Sequence, residues 1–319
     1  MDRRGFLLGA MAGGAVALSG CASTACGGAR KACCGKPKFR IGVAGITYLG
    51  LTLDQTLDEL ERNQVHGLCA KDFHFPMTAK LAELRALVRK CNDRGVEIYA
   101  AGPLDITDED QAKRTFDYCA ALGVKRMAVV PWEPREGKLP GEKRQASRRL
   151  CELTSRLAAE YDIKCGIHNH GKTLGEASPY LYGLPGEAYE MVKDLDPRLG
   201  LCFDVAYDHA EGLDPAEEIR KFADRIFDVH IRGAVRGPAF IDGRNCESSQ
   251  GVPPQVSPID YFSVFRALRD SGYDGWCGLE HYLGETGKDH KSGGYAKDPF
   301  WIPLSLGYFQ GVLDSVARA

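Results

Sequence analysis

The chain has 319 residues, of which 44% are hydrophobic and 26% charged, and its formal net charge is −2. A chain of this length and composition can bury a sizeable core, which excludes a disordered or fibrous protein. Its basic residues form no stripe of the kind that binds phosphates along a nucleic acid, so nucleic acid is excluded as a partner.

The N-terminus has the sequence of an export signal. Arg3 and Arg4 precede an apolar run, rich in glycine and alanine, that is too short to span a membrane. This order predicts a twin-arginine signal peptide over residues 1–20. The run ends in LSGC, which resembles a bacterial lipobox, so Cys21 is the predicted lipidated first residue of the mature protein. We therefore expect a periplasmic lipoprotein whose only membrane contact is its lipid anchor; an ordinary signal cleaved elsewhere is the alternative.

The 12 cysteines are not distributed like a disulfide framework, and their spacing indicates no pairing. Several fall within residues 21–37, a segment rich in glycine, alanine and lysine. We predict that this segment is a flexible tether, with a metal-binding tail as the alternative. Others lie in apolar strand-like runs, as is typical of small buried hydrophobic residues: Cys69, Cys165, Cys202 and Cys277.

From about residue 38 onwards, short apolar runs alternate with amphipathic helical stretches. The helical stretches, such as TLDQTLDELERN and AKLAELRALVRKCNDRG, repeat apolar residues every three or four positions. Eight runs are strand-like: 39–46, 66–70, 96–102, 125–131, 163–168, 199–205, 226–231 and 275–281. Strands that alternate with helices pair in parallel, and nearly continuous apolar runs indicate strands buried on both faces.

The simplest fold for this pattern is a single (β/α)8 barrel, a TIM barrel, over residues 38–319. Residues 287–317 would supply a late loop and a closing helix. A doubly wound open sheet is the alternative, but the first strand is not followed by the glycine-rich phosphate loop typical of that fold.

Polar residues close the last four predicted strands, at the end of the barrel where enzymes of this fold carry their functional groups. They are His168, Asp204, His230 and Glu280. Alone, each has an ordinary structural interpretation, such as a helix-capping aspartate. Together, two imidazoles and two carboxylates at matching positions predict a site for one divalent ion of undetermined identity, such as Mn, Zn, Co or Mg.

The motifs at these strand ends resemble those of the sugar phosphate isomerase/epimerase superfamily. This group comprises the xylose isomerase-like barrels related to tagatose epimerase, inosose dehydratase and endonuclease IV. The similarity covers roughly residues 38–316 and rests on KDFHFP, HNH, FDVAYDHAEG, VHIRG and GLEHY. It implies the xylose isomerase-like TIM barrel fold and an enzyme that acts on carbohydrates.

The resemblance also implies a ligand set of Glu, Asp, His and Glu at the four strand ends. Asp204, His230 and Glu280 match it, whereas His168 stands where the family has its first glutamate. In the family's isomerases and epimerases the two glutamates exchange a proton on opposite sides of the bound substrate, and a metal-bound neutral imidazole cannot act as a base. We interpret His168 as a metal ligand, Asn169 as its orienting neighbour or a loop support, and Glu280 and His170 as the catalytic residues.

Six further side chains near the predicted mouth are candidates for binding the substrate: Lys71, His74, Trp132, Glu133, His209 and Arg232. The lysine and the first histidine would contact a hydroxyl, a carboxylate or an oxyanion, and the tryptophan and glutamate a sugar ring. These candidates also have structural alternatives. Lys71 and His74 could form a surface ion pair, and Trp132 could pack under a loop. His209 could support Asp204 from behind, and Arg232 could cap a helix or loop. The glycine- and proline-rich segment 235–258 is expected to fold over the mouth.

These features predict an exported, metal-dependent enzyme that removes a proton next to the carbonyl of a carbohydrate or keto-sugar. The outcome would be isomerisation, epimerisation or elimination, and the loss of one family glutamate favours a one-base route over epimerisation. Because sugar phosphates are scarce outside the cytoplasm, we expect an unphosphorylated substrate. The alternatives are a metal-dependent hydrolase of a glycoside or ester and a non-catalytic sugar-binding lipoprotein. The sequence does not indicate the sugar or the oligomeric state.

Overall fold

A closed barrel of eight parallel strands forms the centre of the molecule. The computed structural model describes residues 35–132, 140–170, 182–234, 239–241, 244–246, 253–281 and 300–319. Its strands are β1 (Arg40–Ala44), β2 (Gly67–Ala70), β3 (Glu97–Ile106), β4 (Arg126–Pro131), β5 (Lys164–His168), β6 (Leu199–Asp204), β7 (Ile226–Ile231), β8 (Ala239–Ile241), β9 (Arg244–Cys246) and β10 (Trp276–Leu279). Around the barrel the order is β1, β10, β7, β6, β5, β4, β3 and β2, and β2 pairs with β1 to close it.

Helices follow most of the barrel strands. They are α1 (Leu53–Arg62), α2 (Leu81–Asp93), α3 (Glu109–Leu122), α4 (Pro140–Tyr161), α5 (Pro185–Val192), α6 (Val205–Ala210), α7 (Pro215–Phe222), α8 (Tyr261–Asp270) and α9 (Trp301–Arg318). Several begin at a side chain that accepts hydrogen bonds from the first free backbone N–H groups. Asp108, Asp204, Asp214 and Asp260 cap α3, α6, α7 and α8 in this way.

The eight predicted strands and the (β/α)8 barrel are confirmed, and the open-sheet alternative is wrong because β1 pairs with both β2 and β10. Strand β3 runs to Ile106, beyond the predicted end at residue 102. The pairing of β3 with β4 shifts register between Ala101 and Leu104, and the strand then continues. A bulge of this kind leaves no simple mark in the hydrophobic pattern.

The core fills the barrel and the layer between strands and helices. Every residue of β2, β6, β7 and β10 is buried, as expected of parallel strands covered on both faces. At the amino-terminal end Trp276 stacks on Tyr99 with ring centroids 5.1 Å apart. A Cβ atom on Gly67 would lie 2.3 Å from the Trp276 ring, so the glycine makes room for the indole.

The cysteines whose side chains the structure describes are all buried and free, in agreement with the prediction that those in strand-like runs pack as hydrophobic residues: Cys69, Cys91, Cys119, Cys151, Cys165, Cys202 and Cys277. No helix within those residues is long and apolar enough to cross a membrane. The predicted signal peptide, Cys21 and most of the tether lie outside the described residues. Of the segment 235–258, the structure describes an antiparallel hairpin of β8 and β9, which was not predicted, and residues 253–258.

Candidate metal centre

The four strand-end residues predicted to bind metal lie together at the carboxyl end of the barrel. His168 and Asp204 end β5 and β6, His230 is the penultimate residue of β7, and Glu280 directly follows β10. Asp204 is opposite His230 in the sheet register, whereas His168 is opposite Cys202, two residues before Asp204. All four are buried, and one ligand atom of each lies within 4.8 Å of the others.

The separations between these atoms can be compared with the edges of a coordination polyhedron. His168 Nε2 lies 2.9 Å from His230 Nδ1 and 3.8 Å from Asp204 Oδ2. His230 Nδ1 lies 3.2 Å from Glu280 Oε2. Nitrogen and oxygen ligands about 2.1 Å from a common ion stand roughly 3 to 3.5 Å apart. Two of these separations are near that range and the third is longer, so the side chains would draw together around an ion, and it is the donor types that suit a divalent metal.

The two ligand histidines differ in protonation. Burial, with help from His170 and His230, holds the pKa of His168 well below its ordinary value, so this ring is neutral. Burial also opposes charge on His230, but Cys202, Glu280 and Asp228 outweigh it and hold the pKa of His230 well above its ordinary value. His230 Nδ1–H therefore donates to His168 Nε2. A metal ion bound between them would replace that proton.

The two oxygens of Asp204 have different surroundings. One matches the interpretation as a helix cap and the other the interpretation as a metal ligand. Its Oδ1 accepts hydrogen bonds from the backbone N–H of Ala206 at 2.9 Å and of Tyr207 at 3.1 Å, and so caps α6. Its Oδ2 is buried and accepts no hydrogen bond from the described residues. Burial raises the pKa of Asp204 to about 6, against the opposing effect of Arg232. A cation at Oδ2 would favour the ionised carboxylate.

Asn169 supports this arrangement from behind. Its side-chain oxygen accepts from the backbone N–H of Asp204 at 2.8 Å, and its Nδ2 donates to the Asp204 carbonyl at 3.3 Å. The same Nδ2 donates to Asp208 Oδ1 at 3.1 Å. Of the two predicted roles for Asn169, these bonds match support of a loop, because they fix the junction of β6 and α6.

His170 lies beside His168, with the two Nδ1 atoms 3.3 Å apart and the rings at 72° to each other. Burial lowers the pKa of His170 to about 4, so at neutral pH both rings are uncharged and one Nδ1 carries the shared proton. If His168 binds metal through Nε2, its proton lies on Nδ1 and is donated to His170. The His170 proton is then on Nε2, where the ring acts as a hydrogen-bond donor.

Arg232 is buried against the metal centre. Its Nη2 lies 3.2 Å from Asp204 Oδ2, and its guanidinium lies over the Tyr207 ring at 4.3 Å from the centroid. The Tyr261 hydroxyl accepts from Arg232 N at 3.1 Å and donates to the Arg232 carbonyl. Because the guanidinium already balances one carboxylate of the site, the geometry favours support of Asp204 over the predicted contact with an anionic substrate.

The structure does not bring His74 or Trp132 into the cluster of ligand atoms. His74 is buried, and its Nε2 lies 2.9 Å from the Leu51 carbonyl and 3.1 Å from Thr56 Oγ1, which anchors the ring at the start of α1. Trp132 Nε1 donates to Asp105 Oδ1 at 3.0 Å. These bonds anchor both rings to neighbouring elements, and the buried position of His74 differs from the surface ion pair given as its alternative. Substrate binding by either residue stays a prediction.

For the remaining candidates for substrate binding, the structure gives position and burial. Lys71 directly follows β2, at the carboxyl end of the barrel, and is half-buried. His209 is half-buried in α6, the helix that Asp204 caps. Glu133 lies outside the described residues.

The sequence interpretation missed two neighbours of His230. Asp228 Oδ2 lies 3.6 Å and Cys202 Sγ 3.7 Å from His230 Nε2. Cys202 forms with His168 and His230 a second set of atoms close enough to share a metal. The available signal was an ionisable residue, Asp228, within an apolar strand and two positions before His230, hence on the same face.

A model of the family described as xylose isomerase-like TIM barrel matches residues 58–302. The chain is 24% identical over 297 residues to the inosose dehydratase of Geobacillus kaustophilus, and the alignment covers 76% of this chain and 87% of that protein.

Two solved structures have the same fold. A D-psicose 3-epimerase in the presence of D-fructose gives a TM-score of 0.68 at 14% identity and covers 86% of this chain and 99% of its own. The IOLI protein with a bound zinc atom gives a TM-score of 0.62 at 16% identity and covers 88% of this chain and 98% of its own. The likeness therefore extends over the whole barrel.

Proposed function

The chain belongs to the xylose isomerase-like TIM barrel family, and from this premise we propose that it is a metal-dependent enzyme acting on an unphosphorylated carbohydrate or keto-sugar. The observation that carries the proposal is the cluster of four buried ligand atoms within 4.8 Å at the mouth of the barrel. Carbohydrates are favoured as substrates because similar proteins are a dehydratase of inosose and an epimerase of D-psicose.

The residues present fit a divalent ion. His168, Asp204, His230 and Glu280 offer two nitrogen and two oxygen atoms, a set suited to Zn, Mn or Co, and a similar structure holds zinc. Asp204 Oδ2 lies 3.2 Å from Arg232 Nη2 but accepts no hydrogen bond from the described residues, so one of its lone pairs is available to an ion in such a site. When bound, the ion supplies polarisation of carbonyl and hydroxyl oxygens of the substrate.

Glu280 is the residue that we assign to move the proton. Burial alone would raise the pKa of Glu280, but His230 and Arg232 outweigh burial and hold it well below its ordinary value. The carboxylate is therefore ionised and can accept a proton from the carbon next to the substrate carbonyl. Because a carboxylate with a low pKa is a weak base, this transfer requires that the adjacent carbonyl be strongly polarised.

His168 and His170 explain why we favour elimination or isomerisation over epimerisation. Epimerisation by two bases needs a second group that can take a proton on the opposite face, and His168 is a neutral ligand in place of the family's glutamate. His170, also neutral, would donate from Nε2 to the departing or rearranging oxygen. One carboxylate base and one imidazole donor suffice for loss of water or for a shift of the carbonyl.

Export supports the choice of an unphosphorylated substrate. We propose that residues 1–20 direct the chain to the periplasm and that Cys21 carries a lipid anchor. Mass spectrometry of the membrane-extracted protein tests this proposal, and an unmodified mature N-terminus at another residue would contradict it.

Reaction in deuterated water tests the chemistry. Metal-loaded protein is incubated with a panel of keto-sugars and inososes, and NMR locates deuterium in the products. We expect deuterium next to the carbonyl with wild type, none with Glu280→Gln, and an unchanged result with Glu160→Gln, an exposed glutamate on α4. Turnover without deuterium at carbon, but with oxygen from labelled water in the product, would instead indicate a hydrolase. Tight binding of a sugar without turnover would indicate a binding protein.

A further inference from the structure

The inner face of β7 carries a second ionisable residue beneath His230. Asp228 and His230 are two residues apart in the strand, so their side chains lie on the same face. Both are buried. A carboxylate inside a barrel is costly unless a hydrogen bond or an opposite charge compensates it, so its partner is informative.

The two nitrogens of the His230 ring have different surroundings. Nδ1 faces the ligand cluster, since it lies 2.9 Å from His168 Nε2 and 3.2 Å from Glu280 Oε2. Nε2 is at the far side of the ring, 3.6 Å from Asp228 Oδ2 and 3.7 Å from Cys202 Sγ. The ring therefore lies between the proposed metal position and the Asp228 carboxylate.

Asp228 has one oxygen for the backbone and one for the ring. Its Oδ1 accepts from Val229 N at 3.0 Å. Its Oδ2 accepts no hydrogen bond from the described residues, and the His230 Nε2–H is the donor beside it. A ring movement of about 0.5 Å would bring this pair into the hydrogen-bonding range of roughly 2.7–3.2 Å.

We infer that Asp228 is a positioning residue that keeps the His230 proton on Nε2 and so leaves the Nδ1 lone pair for a divalent ion; this inference rests on the metal centre of the proposed function. An ionised carboxylate can only accept hydrogen bonds, and therefore it selects the tautomer that places N–H towards it. Carboxylate partners of this kind orient metal-bound histidines and raise their basicity.

His168 differs from His230 in which ring nitrogen faces the ligand cluster and in the partner of the other nitrogen. Its Nε2 faces the ligand cluster and its Nδ1 faces His170, so the two ligand histidines present opposite nitrogens to the same point. The partner of His168 is an imidazole, which can donate or accept, whereas the partner of His230 is a carboxylate. Of these two partners, His170 and Asp228, only the carboxylate of Asp228 is restricted to accepting a hydrogen bond.

The charged side chains around the ligand cluster also support a cation at this site. Asp204, Glu280 and Asp228 bring three carboxylates to the buried region, and Arg232 stands against them as the guanidinium of the site. The buried region therefore holds more carboxyl than guanidinium groups, a composition that suits a cation.

The test compares Asp228→Asn with Glu59→Gln, a matched carboxylate-to-amide change at a buried glutamate of α1 that pairs with Arg62. Zinc affinity is measured by competition with a chromophoric chelator, and circular dichroism verifies the fold. We expect Asp228→Asn to lose about 10- to 100-fold in zinc affinity, as for other outer partners of metal ligands. Glu59→Gln should remain within about threefold of wild type, since the Glu59 side chain contacts Arg62 and no residue of the ligand cluster.

Nitrogen-15 NMR of the zinc-loaded wild type gives the readout that a purely structural role of Asp228 would not produce, and it needs no variant to fold. We expect His230 bound through Nδ1 with its proton on Nε2. Binding of zinc by wild type with a His230 ligated through Nε2, an unchanged affinity in Asp228→Asn, or an equal loss in Glu59→Gln would overturn the inference while leaving the metal centre intact. A wild-type protein that binds no zinc would overturn the metal centre itself and this inference with it.

Discussion

Asp204 shows how one side chain serves fold and site at once. Its two oxygens are divided between the first turn of α6 and the ligand cluster, and Arg232 lies 3.2 Å from the second oxygen. Replacing Asp204 therefore removes a charge from the metal centre and leaves a buried guanidinium without its carboxylate. Asp214 offers a matched control, because it caps α7 through the same contacts, to Ala216 N at 2.8 Å and Glu217 N at 3.3 Å.

We expect Asp204→Ala to abolish metal binding and to lower the free energy of unfolding by about 3–5 kcal/mol, the usual cost of stranding a buried charge. Asp214→Ala should cost only about 1 kcal/mol, the value of a helix cap, and should leave metal binding unchanged. Urea unfolding and elemental analysis of both variants measure these effects. Full metal occupancy in folded Asp204→Ala would refute its role as a ligand.

His74 predicts a pH dependence of stability away from the metal centre. Burial lowers the pKa of His74, against the opposing hydrogen bond to the Leu51 carbonyl. The unfolded chain therefore binds a proton more readily than the native protein does. The stability that depends on neutral His74 is complete above the unfolded pKa, near 6.5, and is lost as the pH falls towards the native pKa.

Chemical unfolding between pH 7 and pH 5 should show this loss in wild type, at up to about 1.4 kcal/mol per pH unit for the single group. His74→Gln should reduce the slope of stability against pH. His66→Gln, at an exposed histidine on the opposite end of β2, should keep the wild-type slope. An identical slope in all three proteins would show that His74 does not contribute.

At the scale of elements, the packing of β2 against β10 makes a sharp prediction. The Trp276 ring lies 2.3 Å from where a Cβ of Gly67 would stand, whereas Gly307 in α9 has no atom within 4 Å of that position. Gly67→Ala should destabilise the barrel by about 1–3 kcal/mol through overpacking. Gly307→Ala should stabilise it by roughly 0.5–1 kcal/mol, because alanine is the better helix residue. Urea unfolding gives both values, and a stabilised Gly67→Ala would contradict the packing described.

The strands could be predicted from sequence because each is a short apolar run between polar corners. What the pattern could not show was pairing. The extension of β3 to Ile106 depends on a register shift against β4, and the β8–β9 hairpin lies in a glycine- and proline-rich segment without alternation. Both depend on neighbours that are distant in the sequence, which periodicity along one segment does not encode.

At the scale of the whole molecule, barrel closure assembles the candidate site. Because parallel strands end at one rim, residues 168, 204, 230 and 280 could be placed together from the sequence pattern alone. Side-chain direction around that rim was not predictable. Arg232 points to Asp204, and His74 points to the start of α1. Asp228 points to Nε2 of His230, the ring nitrogen that faces away from the ligand cluster. These orientations depend on packing between strands and not on position along any one of them.

The central claim is that the four rim residues form one divalent metal centre, and metal content tests it most directly. The purified protein is stripped, reloaded separately with Mn, Zn and Co, and analysed for bound metal alongside His230→Ala and, as control, the exposed-site variant His66→Ala. We predict about one ion per chain in wild type and in the control, and loss of that ion in His230→Ala. Wild-type protein that retains none of the three metals after reloading, while still folded, would contradict the account.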